Sequence, residues 1–111
     1  MKSADLFIEL TATYRKHGWQ LRRVLLRPET RVELQSSLPG DSVVGEAEFD
    51  ALWFSRPSHN NREAWELRLL AQTQYALFET FEADETEEER DDLRLEMEAR
   101  LRDYLATDKR G

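Results

Sequence analysis

Residues 49–83 read FDALWFSRPSHNNREAWELRLLAQTQYALFETFEA, and this stretch decides the fold. It holds three runs rich in aromatic and aliphatic residues, ALWFSRP, EAWELRLL and YALFETFEA, which are joined by short polar segments. Such runs between turn-forming residues predict three consecutive antiparallel strands. Most of the large apolar surface of the chain lies here, so the other elements are expected to pack around this meander.

The lengths of the two turns suggest how the strands pair. If Arg56 lies opposite Glu63 and Leu70 opposite Tyr75, side-chain alternation divides the meander into two faces. The predicted core face carries Leu52, Phe54, Trp65, Leu67, Leu69, Ala76, Phe78 and Thr80. The opposite face, here called the outer face, carries Ala51, Trp53, Ser55, Glu66, Arg68, Leu70, Tyr75, Leu77, Glu79 and Phe81. A three-residue second turn would exchange the two faces of the third strand.

The segment before the meander predicts a helix, a strand and a second, short helix. The first helix begins near Ser3, a possible N-cap, and ends at Gly18. The strand covers Trp19–Arg27, and its alternation slips at Arg22–Arg23, as a β-bulge or a half-covered edge would explain. The short helix runs from Pro28 to about Ser37.

Two further segments complete the predicted architecture. Val43–Glu48 either begins the first meander strand or forms a short strand of its own. Thr86 and Glu89 fit a capping box at the start of a helix over Asp84–Lys109. The prediction is a single α+β domain over residues 1–111. It has a mainly antiparallel four-stranded sheet, made of the meander and one earlier strand, with the N- and C-terminal helices packed on one face.

Composition limits the classes of function. A chain of 111 residues fits one domain, and it has no cysteine for disulfides, thiolate zinc sites or thiol nucleophiles. No apolar run approaches the roughly 20 residues that cross a bilayer, and the N-terminus lacks the pattern of a secretory signal. We therefore expect a cytoplasmic protein that does not bind membranes.

The net charge of −7 argues against nonspecific binding of nucleic acid, which depends on neutralising phosphates. One basic stripe still resembles a single-strand surface in composition. It consists of Trp19 with Arg15, Lys16, Arg22, Arg23, Arg27 and Arg31. The alternatives for this stripe are that Trp19 lies in the core while the arginines are solvated or pair with the acidic C-terminal helix, or that the stripe binds an acidic protein partner. Nucleic-acid binding is the third functional hypothesis, after the two given below for the outer face.

No catalytic, metal or cofactor signature stands out. The chain has two histidines and four glycines, too few for a histidine-based centre or a phosphate-binding loop. The acidic run after Ala83 is explained by the start of a helix, where carboxylates are favoured. Ser55, Ser58 and His59 could form a nucleophile–base pair, but such residues are typical of a turn. We therefore predict no catalytic residue, no metal site and no cofactor.

The outer face is the best functional candidate in the sequence. Its mixture of aromatic residues, arginine and acids is typical of protein interfaces. The residues predicted to bind a partner or ligand there are Trp53, Glu66, Arg68, Tyr75, Leu77, Glu79 and Phe81. The leading hypothesis is a small interaction module without catalytic activity, which binds a protein partner or forms a homodimer through this face. The alternative is a small-molecule binder or enzyme that uses Glu66, Arg68 and Glu79 in an aromatic-lined pocket.

Overall fold

The computed structural model describes residues 2–108. The elements follow in the order α1 (Ser3–Lys16), β1 (Gln20–Leu26), α2 (Pro28–Leu34), β2 (Val44–Glu46), β3 (Ala51–Pro57), a 3-10 turn (His59–Asn61), β4 (Glu63–Leu69), β5 (Ala76–Phe81) and α3 (Glu87–Asp108). The predicted order of helices and strands is confirmed. Lys109, the expected last residue of α3, lies outside the described residues.

The strands form one mixed sheet in the order β2-β1-β3-β4-β5, in which β1 and β2 are parallel and the other pairs antiparallel. The α+β class and the mainly antiparallel sheet are therefore confirmed. The predicted number of four strands is wrong: the sheet has a fifth strand because Val44–Glu46 lies beside β1 as a strand of its own, which is one of the two alternatives that the sequence left open for this segment. The pairing of β1 with β3 shifts between Leu21 and Arg23, so the slip in the alternation is a bulge.

The ends of the long helices follow from local chemistry. At the start of α3, the Thr86 amide donates to the Glu89 carboxylate (2.9 Å) and the Glu89 amide donates to the Thr86 hydroxyl (3.1 Å), so the capping box is confirmed. Hydrogen bonding from Thr86, mainly through its backbone amide and also through its side chain, lowers the pKa of Glu89. Helix α1 ends before Gly18, whose φ of 87° is the left-handed conformation that favours glycine. Lys2, and not Ser3, occupies the N-cap position of α1.

The first hairpin pairs one residue away from the predicted register. Arg56 lies opposite Ala64, because Pro57 continues β3 and pairs with Glu63. A tight turn makes this pairing possible: Asn60 and Asn61 both adopt positive φ, which asparagine tolerates well. A shift of one residue moves each side chain of β4 to the other face relative to β3.

The second hairpin is shifted by one residue as well. The Leu69 amide donates to the Tyr75 carbonyl, so Tyr75 faces Leu69 and not Leu70. Leu70 is unavailable to β5 because its amide donates to the Asp50 carbonyl on the other side of β4. Both predicted registers are therefore wrong. Because the two shifts cancel, β3 and β5 keep their predicted faces relative to each other, and only the residues of β4 are assigned to the wrong face.

Helices cover both faces of the sheet, so the prediction that they share one face is also wrong. On one side, Phe7 of α1 and Leu34 of α2 join a cluster with Leu52 and Phe54 of β3. On the other side, α3 packs in a second cluster whose buried members are Phe49, Ala51, Trp53, Trp65, Leu67, Leu69, Leu77, Phe81, Met97 and Leu101. Neighbouring residues of β3 are apolar on both faces, and each face has to be kept from water.

Candidate functional site

The aromatic residues assigned to the outer face are part of the core beneath α3. Trp53 and Phe81 are fully buried, and Leu77 is buried beside them. Tyr75 is partly buried and stacks on Tyr104 of α3 with ring centroids 3.7 Å apart. Trp53, Leu77 and Phe81 are therefore buried and Tyr75 is partly covered, so this face is not available as an interface while α3 is in place.

Trp53 and Arg94 both find polar partners on α3, although the buried Arg94 Nε has no hydrogen-bond partner. The Trp53 Nε1–H donates to the Glu98 carboxylate at 2.9 Å. The Arg94 guanidinium is buried, lies 4.0 Å from the centre of the Trp65 ring and forms ion pairs with Glu87 and Asp91. Arg94 thus links α3 to the sheet through a cation–π contact with Trp65 of β4.

The charged residues assigned to the outer face do not come together. Glu66 and Arg68 lie on the α1 side of the sheet, where the Tyr14 hydroxyl donates to the Glu66 carboxylate. Arg68 donates to the backbone carbonyls of Leu69 (3.0 Å) and Ala71 (3.4 Å). Glu79 pairs opposite Trp65 and so shares the α3 side. A catalytic pair of Glu66 and Glu79 would need both on one face, and the sheet separates them.

The Tyr14 hydroxyl is expected to ionise at a higher pH than an ordinary tyrosine. Burial and the hydrogen bond to Glu66 raise the pKa of Tyr14 above its usual range. In the unfolded chain this phenol ionises at about pH 10. The stabilisation of the folded state by the neutral phenol is therefore complete below that pH, and it is lost as the pH rises further. The difference between the phenolate absorbance titrations of the wild type and Tyr14→Phe isolates this group. A midpoint at about pH 10 in the difference titration would show that the pKa of Tyr14 is not raised, and would contradict this prediction.

A surface cleft of about 520 Å³ lies where the C-terminal part of α3 meets the sheet. Phe49, Leu69 and Leu105 give it an apolar floor. Its charged groups have partners in the chain: Asp50 binds Arg27 at 2.9 Å, and Glu48 lies 3.7 Å from Arg102. A ligand would have to displace these pairs, so the cleft offers little for recognition.

A second cleft, of about 430 Å³, lies between β1 and the segment before β2. Part of the predicted basic stripe lines it, including Arg15, Arg22 and Arg23. Arg23 also lies 3.8 Å from Asp91 of α3, and the Arg22 guanidinium lies 5.5 Å from the Trp65 ring centre. Pairing with α3, as one of the sequence hypotheses expected, therefore accounts for Arg23, whereas Arg22 lies over Trp65 of β4.

The edge of β5 carries unused hydrogen-bonding groups of the backbone. In an antiparallel pair, every second residue directs both its N–H and its C=O at the neighbouring strand. The bond from the Leu69 amide to the Tyr75 carbonyl fixes that phase, so Leu77, Glu79 and Phe81 face β4. Ala76, Phe78 and Thr80 consequently direct their backbone groups away from the sheet, where β5 has no neighbouring strand among the described residues.

Side chains beside this edge form a small exposed aromatic patch. Phe78 is 57% exposed, and its ring meets the Trp19 ring edge to face at 6.3 Å. The Arg56 guanidinium covers the other part of Trp19 at 4.5 Å from the ring centre. The Thr80 amide donates to the Glu79 carboxylate at 3.1 Å, so one of the outward backbone donors already has a hydrogen-bond partner within the chain. The patch and the outward backbone groups together form the candidate site, called the β5 edge below.

The sequence interpretation missed this site because it assigned the whole face that Phe78 shares with Leu52 and Phe54 to the core, whereas the buried cluster on that face does not include Phe78. One feature of the sequence could have indicated the site: YALFETF is the last strand of the meander. Such a strand lies at the edge of the sheet unless another segment pairs with it. Nothing in the sequence shows whether α3 or an earlier strand covers that edge.

Comparison of the chain with models of protein families, with curated proteins and with solved structures gave no match. Within residues 2–108, no group of three or more histidine or acidic side chains is arranged to hold a metal ion. In the same part of the chain, the helices are too short or too polar to span a membrane. The β5 edge therefore has to be interpreted from its own geometry.

Proposed function

We propose that the protein is a small interaction module without catalytic activity, and that the β5 edge binds an extended segment of a protein partner. The observation that carries this proposal is the row of outward backbone groups at Ala76, Phe78 and Thr80. Recognition of this kind adds a strand to a sheet, so that main-chain hydrogen bonds give affinity and alternate side chains give specificity.

The sequence of β5 supports this use of the edge. Proteins usually protect an exposed edge strand with lysine, proline, a bulge or a very short strand. β5 reads ALFETF, with Glu79 as its one charged residue and no lysine or proline. The opposite edge of the sheet is formed by β2, which has only three residues, Val44–Glu46. So short a strand offers few unpaired backbone groups to another chain.

Exposed Phe78 supplies an anchor beside the backbone groups. Aromatic side chains contribute much of the binding energy in protein interfaces. A partner strand would cover the Phe78 ring while its backbone pairs with the same residue. Trp19 extends the apolar contact on the α1 side of the sheet.

Panning of displayed ten-residue peptides on the folded protein tests the proposal. We expect selected peptides to shift the backbone amide NMR signals of Ala76 and Phe78 and to lose at least about tenfold in affinity for Phe78→Lys. Leu95→Lys is the matched control, because Leu95 on α3 is similarly exposed (64%) and apolar. Peptides that shift residues of either cleft and bind Phe78→Lys normally would overturn the proposal.

A further inference from the structure

We infer that the strand bound by the β5 edge belongs to a second copy of this chain, which pairs β5 with β5 about a two-fold axis at Phe78. This inference rests on the proposed function of the same edge. A two-fold axis perpendicular to the sheet makes the two strands antiparallel and keeps corresponding faces on the same side. Each copy can then continue the sheet of the other without burying α1 or α3.

The outward backbone groups select the register. With Phe78 opposite Phe78 of the second copy, Ala76 lies opposite Thr80, and the outward residues all pair. This arrangement gives about six backbone hydrogen bonds, once Thr80 releases Glu79. Centring the axis on Leu77 or on Glu79 leaves one outward residue of each copy without a partner and gives about four.

The charges of β5 favour the same register. An axis at Glu79 would place two carboxylates directly opposite each other, which is destabilising. An axis at Phe78 places Glu79 opposite Leu77, and the two Glu79 residues become diagonal neighbours with Cα atoms about 7–8 Å apart. Replacement of Glu79 with glutamine should strengthen the pairing, because it removes the remaining repulsion and weakens the competing bond to the Thr80 amide.

Phe78 meets its own symmetry mate in this register. Directly opposed aromatic residues stabilise antiparallel pairs, and the ring that is 57% exposed in one copy becomes covered. The contact involves one six-residue strand and its neighbours, so it falls among small interfaces below about 1,200 Å², which are weak and transient. We therefore expect a dimer that forms in the micromolar range and above.

Single-cysteine variants test the register directly, because the natural chain has no cysteine. Hydrogen-bonded residues of an antiparallel pair have Cα atoms about 5.5 Å apart, within the range that a disulfide spans. Under mild oxidation, Phe78→Cys should cross-link to itself at least about tenfold faster than Leu95→Cys, an exposed control on α3. Ala76→Cys and Thr80→Cys should each cross-link poorly alone and rapidly when mixed.

The mixed pair keeps Phe78, so the result does not depend on losing the aromatic anchor. Cross-linking of Ala76→Cys with itself as fast as with Thr80→Cys would overturn the register. Rates equal to that of Leu95→Cys throughout would overturn self-association through β5. If selected peptides nevertheless shift the Ala76 and Phe78 amides, the proposed function stands and only the second copy is rejected. If they do not, both proposals fail.

Discussion

Replacing Trp53 with alanine is expected to lower the free energy of unfolding by about 3–5 kcal/mol, the range for large aromatic residues removed from a core. Trp53 has 0% exposure and lies in one cluster with Met97 and Leu101 of α3. Its ring meets Trp65 edge to face at 5.9 Å, and its Nε1–H bonds to Glu98. Domains of this size are stable by about 5–15 kcal/mol, so the loss should be plain in urea denaturation.

Two control variants separate the contributions of packing and hydrogen bonding at this position. Trp53→Phe keeps an aromatic ring but loses the bond to Glu98, and should cost less than Trp53→Ala. Leu95→Ala, at an exposed site of α3, should change the free energy by less than about 0.5 kcal/mol. If Trp53→Ala cost no more than Leu95→Ala, Trp53 would be a surface residue, as the outer-face hypothesis assumed.

Replacing Asp50 with alanine is expected to cost about 2–4 kcal/mol, because one buried carboxylate joins several elements. It accepts bonds from the Arg27 amide (2.9 Å), from the Arg27 guanidinium (2.9 and 3.2 Å) and from the Thr30 hydroxyl (2.8 Å). These bonds tie the start of β3 to the end of β1 and the first turn of α2. Without the carboxylate, the buried Thr30 hydroxyl loses its acceptor.

Glu48→Ala is the matched control for Asp50→Ala. Glu48 is a nearby carboxylate whose side chain is 78% exposed, 3.7 Å from Arg102, and exposed ion pairs contribute little to stability. Both variants are compared by thermal and urea denaturation at neutral pH. Equal losses of stability in the two would contradict the role assigned to Asp50.

The helices and strands could be predicted because their signals are local. The capping box at Thr86 and Glu89, the glycine at position 18 and the alternation slip at Arg22–Arg23 each act within a few residues. Local chemistry of this kind is readable without knowledge of the tertiary structure. The ambiguous segment Val43–Glu48 needed the structure, since its short strand forms only beside β1.

The faces of β4 could not be predicted because they depend on the pairing at two turns, which a difference of one residue changes. Pro57 remains in β3, and Leu70 bonds to Asp50 instead of β5. Each of these two features shifts the pairing of β4 with one neighbouring strand by one residue, and such a shift places the side chains of β4 on the opposite face relative to that neighbour.

The two shifts exchange the faces of β4 alone, so Phe81 keeps its predicted place on the face of Trp53, and Phe78 on the face of Phe54. Trp53 and Phe81 are in the core because α3 covers their face, whereas Phe78 is exposed because the cluster under α1 and α2 does not extend to it.

Hydrogen exchange of the β5 amides tests the central claim most directly. In dilute protein, the outward Ala76 and Phe78 amides should exchange rapidly and the inward Leu77 and Glu79 amides slowly. At high protein concentration, or with a selected peptide, the outward amides should become protected. Protection of the outward amides in dilute protein, or their unchanged rapid exchange under both other conditions, would contradict a β5 edge that binds strands.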